Sequence, residues 1–523
     1  MTKLPCSWAN AKFSDFGTWI GGGTPSKANP DFWHGDIPWI SPKDMKSNVI
    51  RTAIDGITLN AIENSAAKLV PEGSVLIVTR SGILAHTLPV AITAMESTLN
   101  QDLKALALPE GISSEFIAWG MRAFEQRILN TCRKGGTTVH SIEMPRLTAF
   151  ELPIAPTNEQ RRIVERIEAM FDEIDHGIEN LKKAKTSLGL YRQSLLKSAF
   201  EGRLTADWRA QNADKLESPD ALLARIQKER DTRYKSALED WKAAVKDWRK
   251  GGEIGKKPVK PKAPDKLRFS DLPVDGFTKL PYGWSWVPLG WLLTVERRPM
   301  TTGPFGTLLK KQEHQSFGVP VLGIENIGSG RFLPGNKIFV TPEKAVELKS
   351  FEARKGDLVI SRSGTVGEIC EVPISFDGSL ISTNLLLVRP NVDIIYSDFF
   401  VKLFQGSSSV QKQIKELCKG SSREFLNQAI LKAMRYPLCS PEEQVEIMRI
   451  LDERLSAADT LEKEIDAGLA RADALRQSIL KQAFSGKLVP QDPNDEPASV
   501  LLERIKAEKT KAPKARRKRK ATA

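Results

Sequence analysis

The sequence predicts an α+β protein with pseudo-two-fold symmetry: two similar mixed α/β domains separated by two long helices that form an antiparallel coiled coil. Two observations predict this fold. Residues 153–204 align without a gap onto residues 437–488, so the chain of 523 residues contains an internal repeat. Within each copy of the repeat, apolar residues recur every seven positions, and this spacing is typical of a coiled coil.

The repeat extends beyond the helices. Leu-Pro-x-x-Trp at 4–8 recurs at 280–284, and Arg-Ser-Gly at 80–82 recurs at 362–364. We therefore predict six consecutive segments: a first mixed domain (1–152), a first long helix (153–204), a helical appendix with a Lys/Pro linker (205–279), a second mixed domain (280–436), a second long helix (437–488), and a helical appendix with a basic tail (489–523).

The mixed domains contain short apolar runs that follow glycine turns and favour strands, at 75–78, 103–108, 358–360 and 385–388. Residues 115–129 and 397–417 are better candidates for helices. The linker at 251–266 is rich in glycine, proline and lysine, so we expect it to be extended and mobile. The tail at 511–520 has seven basic residues and no acid, which is typical of disorder.

The heptads predict the seam between the two long helices. Its residues are Ile167, Ile174, Leu181, Leu188 and Leu195 in the first helix and Leu451, Ala458, Ile465, Ala472 and Ile479 in the second. Small residues at Gly177, Ala184, Ala458, Gly468 and Ala472 would let the helices approach closely. Asn158 and Ser440 are predicted to begin the helices, and Gly202 and Gly486 to end them.

The composition indicates the partner and the compartment. A net charge of +13 and a pI near 9.3 favour a polyanionic partner. We find no apolar run near the roughly 20 residues that a membrane span needs, and no signal-peptide pattern. The five cysteines are scattered without a Cys-x-x-Cys pair, so we expect reduced thiols in a cytoplasmic protein.

The sequence offers no catalytic or metal-binding residues. It contains no GxxxxGK[ST] phosphate loop, no HExxH, and no paired Cys/His spacing. The five histidines are too scattered to indicate a catalytic triad, and Gly21-Gly22-Gly23 precedes Thr-Pro, which favours a loop over a nucleotide cradle. We therefore predict a binding protein and not an enzyme.

Residues suited to DNA occur in both mixed domains. They are Lys43, Arg80, Ser81, Thr137 and Thr138 in the first and Lys310, Lys311, Arg362, Ser363, Ser421, Ser422 and Arg423 in the second. Phosphate contacts need basic and hydroxyl side chains, and base readout needs forked donors and acceptors. For any single residue a solvated basic surface is the better interpretation, but the whole set in a duplicated basic protein favours DNA.

If the two domains read different bases, the residues that they share cannot carry the difference. Arg80-Ser81-Gly82 and its copy at 362–364 then favour phosphate contacts or turn structure. The regions in which the halves diverge are better candidates for base reading; these are residues 41–60, 130–140, 297–331 and 419–425.

Several motifs carry a resemblance to a known family. They are Gly-Gly-Thr-Pro-Ser at 22–26 with Gly-Asp-Ile-Pro-Trp-Ile-Ser at 35–41, Gly-Pro-Phe-Gly-Thr-Leu-Leu-Lys at 303–310, Pro-x-x-Glu-Gln at 156–160 with Pro-Glu-Glu-Gln at 441–444, and Arg-Gln-Ser-x-Leu-Lys-x-Ala-Phe-x-Gly-x-Leu at 192–204 and 476–488. On these residues the chain resembles the specificity subunits of type I restriction–modification systems (HsdS), over nearly its whole length. Trp208-Arg209 extends the first copy of the last motif, and the second copy lacks this dipeptide.

The resemblance implies two target-recognition domains, each reading one half of a split DNA site. It implies that the helices set the unread spacer and dock two modification subunits, which carry S-adenosylmethionine. Two restriction subunits would carry ATP and Mg²⁺, and this chain would bind no cofactor itself. Apolar residues on the helices are candidates for the docking surface, or else they widen the seam: Ile163, Phe171, Ile178, Leu455 and Leu469.

Three alternatives remain at this point. A self-contained methyltransferase or nuclease would need a cofactor or metal motif, and we find none. A coiled-coil adaptor that never contacts DNA would leave the net charge of +13 unexplained. A specificity subunit of another class of restriction system would share most of these features.

Overall fold

The structure, a computed structural model, describes residues 4–135, 139–264, 277–295, 298–305, 308–418 and 425–511. It divides into two compact units. The first unit contains Met1–Lys183 and Ile465–Ala523, and the second contains Ala184–Glu464. Each unit therefore combines one mixed domain with parts of both long helices.

The first mixed domain has short strands, which are β1 (Ala9–Lys12), β2 (Thr18–Gly21), β3 (Trp33–Ile40), β4 (Val49–Ile50), β5 (Asp55–Ile57), β6 (Val75–Val78), β7 (Arg80–Ser81), β8 (Val90–Thr93), β9 (Thr98–Leu99), β10 (Leu103–Ala107), β11 (Arg133–Lys134), β12 (His140–Ile142) and β13 (Glu151–Ile154). Its helices, and the long helix that follows, are α1 (Phe13–Phe16), α2 (Leu59–Glu63), α3 (Ser114–Ala123), α4 (Glu125–Cys132), α5 (Met144–Thr148) and α6 (Thr157–Phe200).

The segment between the domains contains α7 (Ala206–Gln211) and α8 (Pro219–Lys250). The strands of the second mixed domain are β14 (Ser285–Pro288), β15 (Met300–Thr302), β16 (Val319–Leu322), β17 (Ile327–Gly328), β18 (Arg331–Phe332), β19 (Phe339–Val340), β20 (Leu358–Ser361), β21 (Ile369–Glu371), β22 (Leu380–Ile381), β23 (Leu385–Val388) and β24 (Arg435–Leu438). Its helices and those that follow are α9 (Pro342–Glu347), α10 (Ser397–Gly406), α11 (Ser408–Leu417), α12 (Gln428–Ala433), α13 (Pro441–Ala483) and α14 (Ala498–Lys511).

The main sheet of each domain has a strand that is buried on both faces. The orders are β2-β10-β6-β8-β4 in the first unit and β15-β23-β20-β21 in the second. Val75 and Ile77 of β6 pack into the core that contains helix α3, whereas Leu76 and Val78 pack into a separate core behind the sheet. Burial on both faces explains why the predicted strands read as continuous apolar runs rather than alternating ones.

The first and last strands of each mixed domain pair with one another. β1 pairs antiparallel with β13, and β14 pairs antiparallel with β24, so each pair feeds directly into a long helix. The glycine that follows a long helix packs on the opening Leu-Pro motif. A Cβ on Gly202 would collide with Pro281, and one on Gly486 would collide with Pro5. Both glycines have φ near +70°, so the predicted helix ends are confirmed.

The long helices pack antiparallel in each unit. In the first unit, Asp175 pairs with Arg476, and Leu181 lies beside Gly468. In the second unit, Lys185 pairs with Glu462 at 3.7 Å, and Arg192, further along α6, pairs with Asp459, which comes earlier in α13. Of the ten predicted seam residues, seven are buried, and Ile174, Leu181 and Ala472 are half-buried.

Some details of the helices differ from the prediction. Gly177 does not mediate a close approach, because a Cβ there would meet no atom within 4 Å, and Ala184 is exposed. Asn158 is not the N-cap, since α6 already begins at Thr157. Ser440 does cap α13, because its Oγ accepts from the backbone N–H of Glu443 at 3.3 Å.

The appendices complete the domain cores. Leu222, Leu223 and Ile226 of α8 are buried with the second domain, and Leu501 and Ile505 of α14 are buried with the first. The appendix at the end of the chain thus packs on the domain at its beginning, and Lys509 Nζ donates to the backbone carbonyls of Ser14, Asp15 and Gly17.

The Lys/Pro linker is not simply extended. Its described part, up to Pro264, folds back along α8, because two indole N–H groups of that helix bond to its backbone carbonyls. The basic tail from 512 onward lies outside the described residues.

Candidate nucleic-acid interface

Lys43 lies in an ordered turn of the first domain. Asp44 fixes the turn, because its carboxylate accepts from the backbone N–H of Ser41 at 2.7 Å and from that of Ile54 at 3.0 Å. Lys43, Lys46 and Arg51 are exposed around a depression of about 280 Å³. This turn therefore presents three cations on a rigid loop within the predicted base-reading region 41–60.

Arg80 and Ser81 belong to a small sheet with order β11-β12-β7. Ser81 pairs with His140, and β11 adds Arg133 and the exposed Lys134. The sheet thus brings together two predicted regions, 80–82 and 130–140. Ser81 Oγ also accepts from the N–H of Ile83 at 3.3 Å, which is turn structure. Thr137 and Thr138 lie outside the described residues.

Lys310 and Lys311 are exposed at the start of a short turn in the second domain. Glu313 fixes this turn by accepting from the backbone N–H of Lys310 at 2.6 Å. Lys344 also pairs with Glu313 at 2.7 Å, and this hydrogen bond is the main reason that the pKa of Glu313 lies below its usual value. The carboxylate is therefore engaged with the loop, and both predicted lysine side chains face solvent.

Arg362 is placed differently from its copy Arg80. Its guanidinium is buried and lies 4.1 Å from the ring centre of Phe425 and 5.5 Å from that of Phe305. Burial lowers the pKa of Arg362. In the free protein it is a packing residue, whereas Arg80 is exposed. Its role as a DNA contact stays a prediction.

The neighbours of Arg362 complete this part of the surface. Ser363 Oγ donates to Asn384 Oδ1 at 3.1 Å, so this predicted contact is engaged within the domain. Ser421, Ser422 and Arg423 lie outside the described residues.

A basic pocket of about 470 Å³ in the second domain was not predicted. Arg298, Lys349 and Arg354 line it around the buried Arg389, which pairs with Asp357 at 3.3 Å. The residues come from distant parts of the chain, so no local pattern indicates the pocket. The pocket lies at the end of the main sheet where Met300 pairs with Val388. Arg362 lies at the opposite end, after the pairing of Ser361 with Leu385.

A cleft of about 380 Å³ in the first unit also escaped prediction. It lies between the domain and both long helices. Arg122 stacks on Trp119 at 4.6 Å and donates to the carbonyl of Val90 at 2.7 Å, and burial lowers its pKa to about 10. The Asp175–Arg476 pair lines the opposite side.

The predicted docking residues on the helices are less exposed than expected. Ile163 is buried in the core of the first domain, so its assignment to an exposed surface is wrong. Phe171 packs edge-on against Trp119 at 5.0 Å, and Leu455 packs against the core of the second domain. Ile178 and Leu469 are half-buried. Ile163, Phe171 and Leu455 therefore extend the contact between a helix and a domain.

Within the described residues, no group of three or more His, Cys, Asp or Glu side chains could hold a metal ion. The same residues include no helix long and apolar enough to cross a membrane. Cys6 is exposed and the other four cysteines are buried, all as free thiols.

Comparison with known proteins gives a consistent picture. A family model described as the type I restriction modification DNA specificity domain matches residues 5–183 and 305–471. The chain is 42% identical over 165 residues to the EcoR124I/EcoR124II specificity subunit of Escherichia coli, a match that spans 31% of this chain and only 41% of that subunit. It is 22% identical over 529 residues to the EcoKI specificity subunit of Escherichia coli K12, covering 97% of this chain and 96% of the relative.

Solved structures agree at the level of the fold. The HsdS subunit from Thermoanaerobacter tengcongensis covers 93% of this chain and 98% of its own, with a TM-score of 0.54 and 17% identity. A chain from a structure of a type I R-M system, described for its complex assembly and conformational transition, covers 93% of this chain and 100% of its own. Its TM-score is 0.62, again at 17% identity.

Proposed function

We infer that the chain, which belongs to the type I restriction modification DNA specificity family, is the subunit that gives such a complex its DNA sequence specificity. One observation carries this conclusion. The family match covers the first mixed domain and, from residue 305, most of the second. Each part continues into a long helix, and together they span more than half of the chain. The function therefore involves the whole duplicated framework and not a single domain.

Each mixed domain reads one half of a split DNA site. Support comes from the difference between two similar domains: both present cations on ordered loops, but from different positions. The first has the Lys43 turn and the Arg80 strand, and the second has the Lys310–Lys311 turn. Different loops on a shared framework are suited to different base sequences, because base-edge donors and acceptors specify sequence whereas phosphate contacts position the protein.

The long helices set the unread spacer between the half-sites. α6 has 44 residues and α13 has 43, so each is about 65 Å long at about 1.5 Å per residue. A stiff pair of helices fixes the distance between the two DNA-binding domains. This distance must match the spacing of the half-sites, because half-site spacing is a geometric constraint in DNA recognition. Removing one heptad from both helices would shift a domain by about 10 Å, or roughly three base pairs.

The chain acts as a non-catalytic subunit. We propose that two modification subunits, which use S-adenosylmethionine to methylate adenine, dock on the helices, and that two restriction subunits use ATP and Mg²⁺. The chain itself supplies only the recognition of the DNA sequence and binds none of these cofactors. Such a complex would act on DNA in the cytoplasm.

The test is to co-express the chain with its cognate modification subunit and to map methylated adenines in the host genome by single-molecule sequencing. A split motif with a fixed unread gap is the expected result. A continuous motif would contradict two reading domains held apart by helices. Methyl transfer by the purified chain alone would contradict a non-catalytic subunit.

A further inference from the structure

Helix α8 is much longer than its packing on the second domain requires. The residues of α8 that are buried in the core of the second domain, Leu222, Leu223 and Ile226, lie among its first eight residues, and Arg230 is buried one turn later. Arg233 forms an ion pair with Asp393 of that domain. The helix continues to Lys250 and the chain returns along it to Pro264. We call residues 235–264 the basic arm.

The basic arm is a closed hairpin. Gly252, at φ +78°, turns the chain after the helix, and the backbone N–H of Glu253 donates to the carbonyl of Trp248 at 3.0 Å. The returning segment is then fixed by two indole groups. Trp248 Nε1 donates to the carbonyl of Gly255 at 3.2 Å, and Trp241 Nε1 donates to that of Pro258 at 3.0 Å.

The hairpin covers its own apolar side. Val245 lies between the two tryptophans and is only 8% exposed. Ile254 and Val259 are exposed, but as single side chains that do not form a large patch. The basic arm therefore has little apolar surface with which to bind a protein partner.

The outer surface of the basic arm is cationic. It has nine basic and four acidic residues. All nine basic side chains are exposed: Lys235, Lys242, Lys246, Arg249, Lys250, Lys256, Lys257, Lys260 and Lys262. They come from both the helix and the returning segment, so the cations are held by a folded scaffold and not by a free linker. The net charge of +5 on these 30 residues favours binding to a polyanion.

We propose that the basic arm grips the phosphates of duplex DNA without reading bases. This inference rests on the proposed function, because it adds a backbone contact to a subunit that reads two half-sites. Lysine is suited to this role, since phosphate binding needs a point charge more than a fixed donor geometry. The basic arm would add affinity equally to target and random DNA, leaving the discrimination between them to the mixed domains.

The test compares charge variants of the full chain, each assembled with its modification subunit. The neutral variant is K246Q/K250Q/K256Q/K257Q, and the matched control K246R/K250R/K256R/K257R keeps the charge. Affinity is measured over a range of salt concentrations for a duplex that carries the mapped target and for a random duplex of the same length. Each lost phosphate contact should reduce the slope of log Kd against log salt by about 0.9.

We expect the neutral variant to bind both duplexes at least several-fold more weakly and with a shallower salt slope, and the arginine control to match the wild type. E239K/D240K should bind both duplexes more tightly. An unchanged slope in the neutral variant overturns the proposal. So does loss of assembly with the modification subunit, because the basic arm would then bind protein. A wild type that does not distinguish target from random DNA would instead contradict the proposed function.

Discussion

The buried glutamate near the start of each long helix is held differently in the two units. In the first unit, Glu159 accepts from Trp8 Nε1 at 3.0 Å and from Gln491 Nε2. In the second, Glu443 accepts from Trp284 Nε1 at 2.9 Å, and Arg209 donates to it as an ion-pair partner.

The Trp–Glu bond is thus common to both units. Thr205 Oγ1 also donates to Glu443, and the partner that differs in charge is the neutral Gln491 in the first unit and the cationic Arg209 in the second. This explains a sequence difference between the copies. Trp208-Arg209 follows only the first copy of the repeat, and its Arg209 is the counter-ion of Glu443 in the second unit. At the end of the chain Gln491 takes that place without a charge. Burial accordingly raises the pKa of Glu159, despite the hydrogen bonds from Trp8 and Gln491.

The largest expected effect comes from removing these carboxylates one at a time. E443Q leaves the guanidinium of Arg209 buried without its counter-ion, which should destabilise the second unit by about 3–5 kcal/mol. E159Q keeps an oxygen that can accept a hydrogen bond, so it should change the stability of the first unit by less than about 1 kcal/mol. Hydrogen exchange measured by mass spectrometry gives the opening free energy of each unit.

The double variant E443Q/R209L provides the control for that comparison. Replacing both members of a buried ion pair is usually far less costly than removing one, so the double variant should recover much of the lost stability. Equal losses in E443Q and E159Q would mean that the ion pair does not distinguish the units.

The second comparison concerns the two copies of the Arg-Ser-Gly motif. R362A removes a guanidinium stacked on Phe425 in a desolvated site and should cost about 2 kcal/mol of stability in the second unit. R80A removes an exposed side chain and should change stability by less than about 0.5 kcal/mol. If Arg80 contacts phosphate, R80A should also reduce the salt slope of DNA binding by about 0.9. A stability loss in R80A as large as that in R362A would show that the copies are equivalent.

A smaller effect is expected from alanine at Gly177 and Gly468, which lie in the long helices. G177A should stabilise α6 by about 0.5–1 kcal/mol, because its Cβ would enter open space. G468A gains the same helix propensity but places its Cβ 3.1 Å from Leu181 Cδ1, so its net change should be close to zero. Thermal unfolding followed by circular dichroism can compare the two variants. A larger gain for G468A would contradict the close approach at that position.

The smallest effect is the pH dependence that Glu159 contributes to the stability of the first unit. A carboxyl group with a raised pKa holds its proton more tightly when folded, so its contribution to stability is full below the ordinary value of 4.5 and is lost as pH rises through the raised value. The opening free energy of the first unit should therefore fall with rising pH across that window. E159Q, which cannot titrate, should make this slope shallower, leaving the contribution of Glu168, whose pKa burial also raises. An unchanged slope in E159Q would assign the pH dependence to other groups.

Much of the framework could be predicted because its signals are local or periodic. The heptads depend only on spacing along one helix, and their residues are buried or half-buried. Short apolar runs between turns predicted strands at 75–78 and 358–360, and the structure has strands at Val75–Val78 and Leu358–Ser361. The linker was predicted less well, since its composition does not reveal that Trp241 and Trp248 provide bonding partners for the returning chain.

The sequence by itself determined the duplication, the two long helices and the basic character of the chain, because repetition, period and charge are properties of the order of residues. Only the tertiary structure decided how equivalent residues differ. Arg80 and Arg362 share a tripeptide, but only Arg362 has Phe305 and Phe425 to cover it. Likewise, α14 packs on the first domain although it is farthest from it in sequence. Burial and counter-ions depend on neighbours distant in the chain, and local patterns do not record those neighbours.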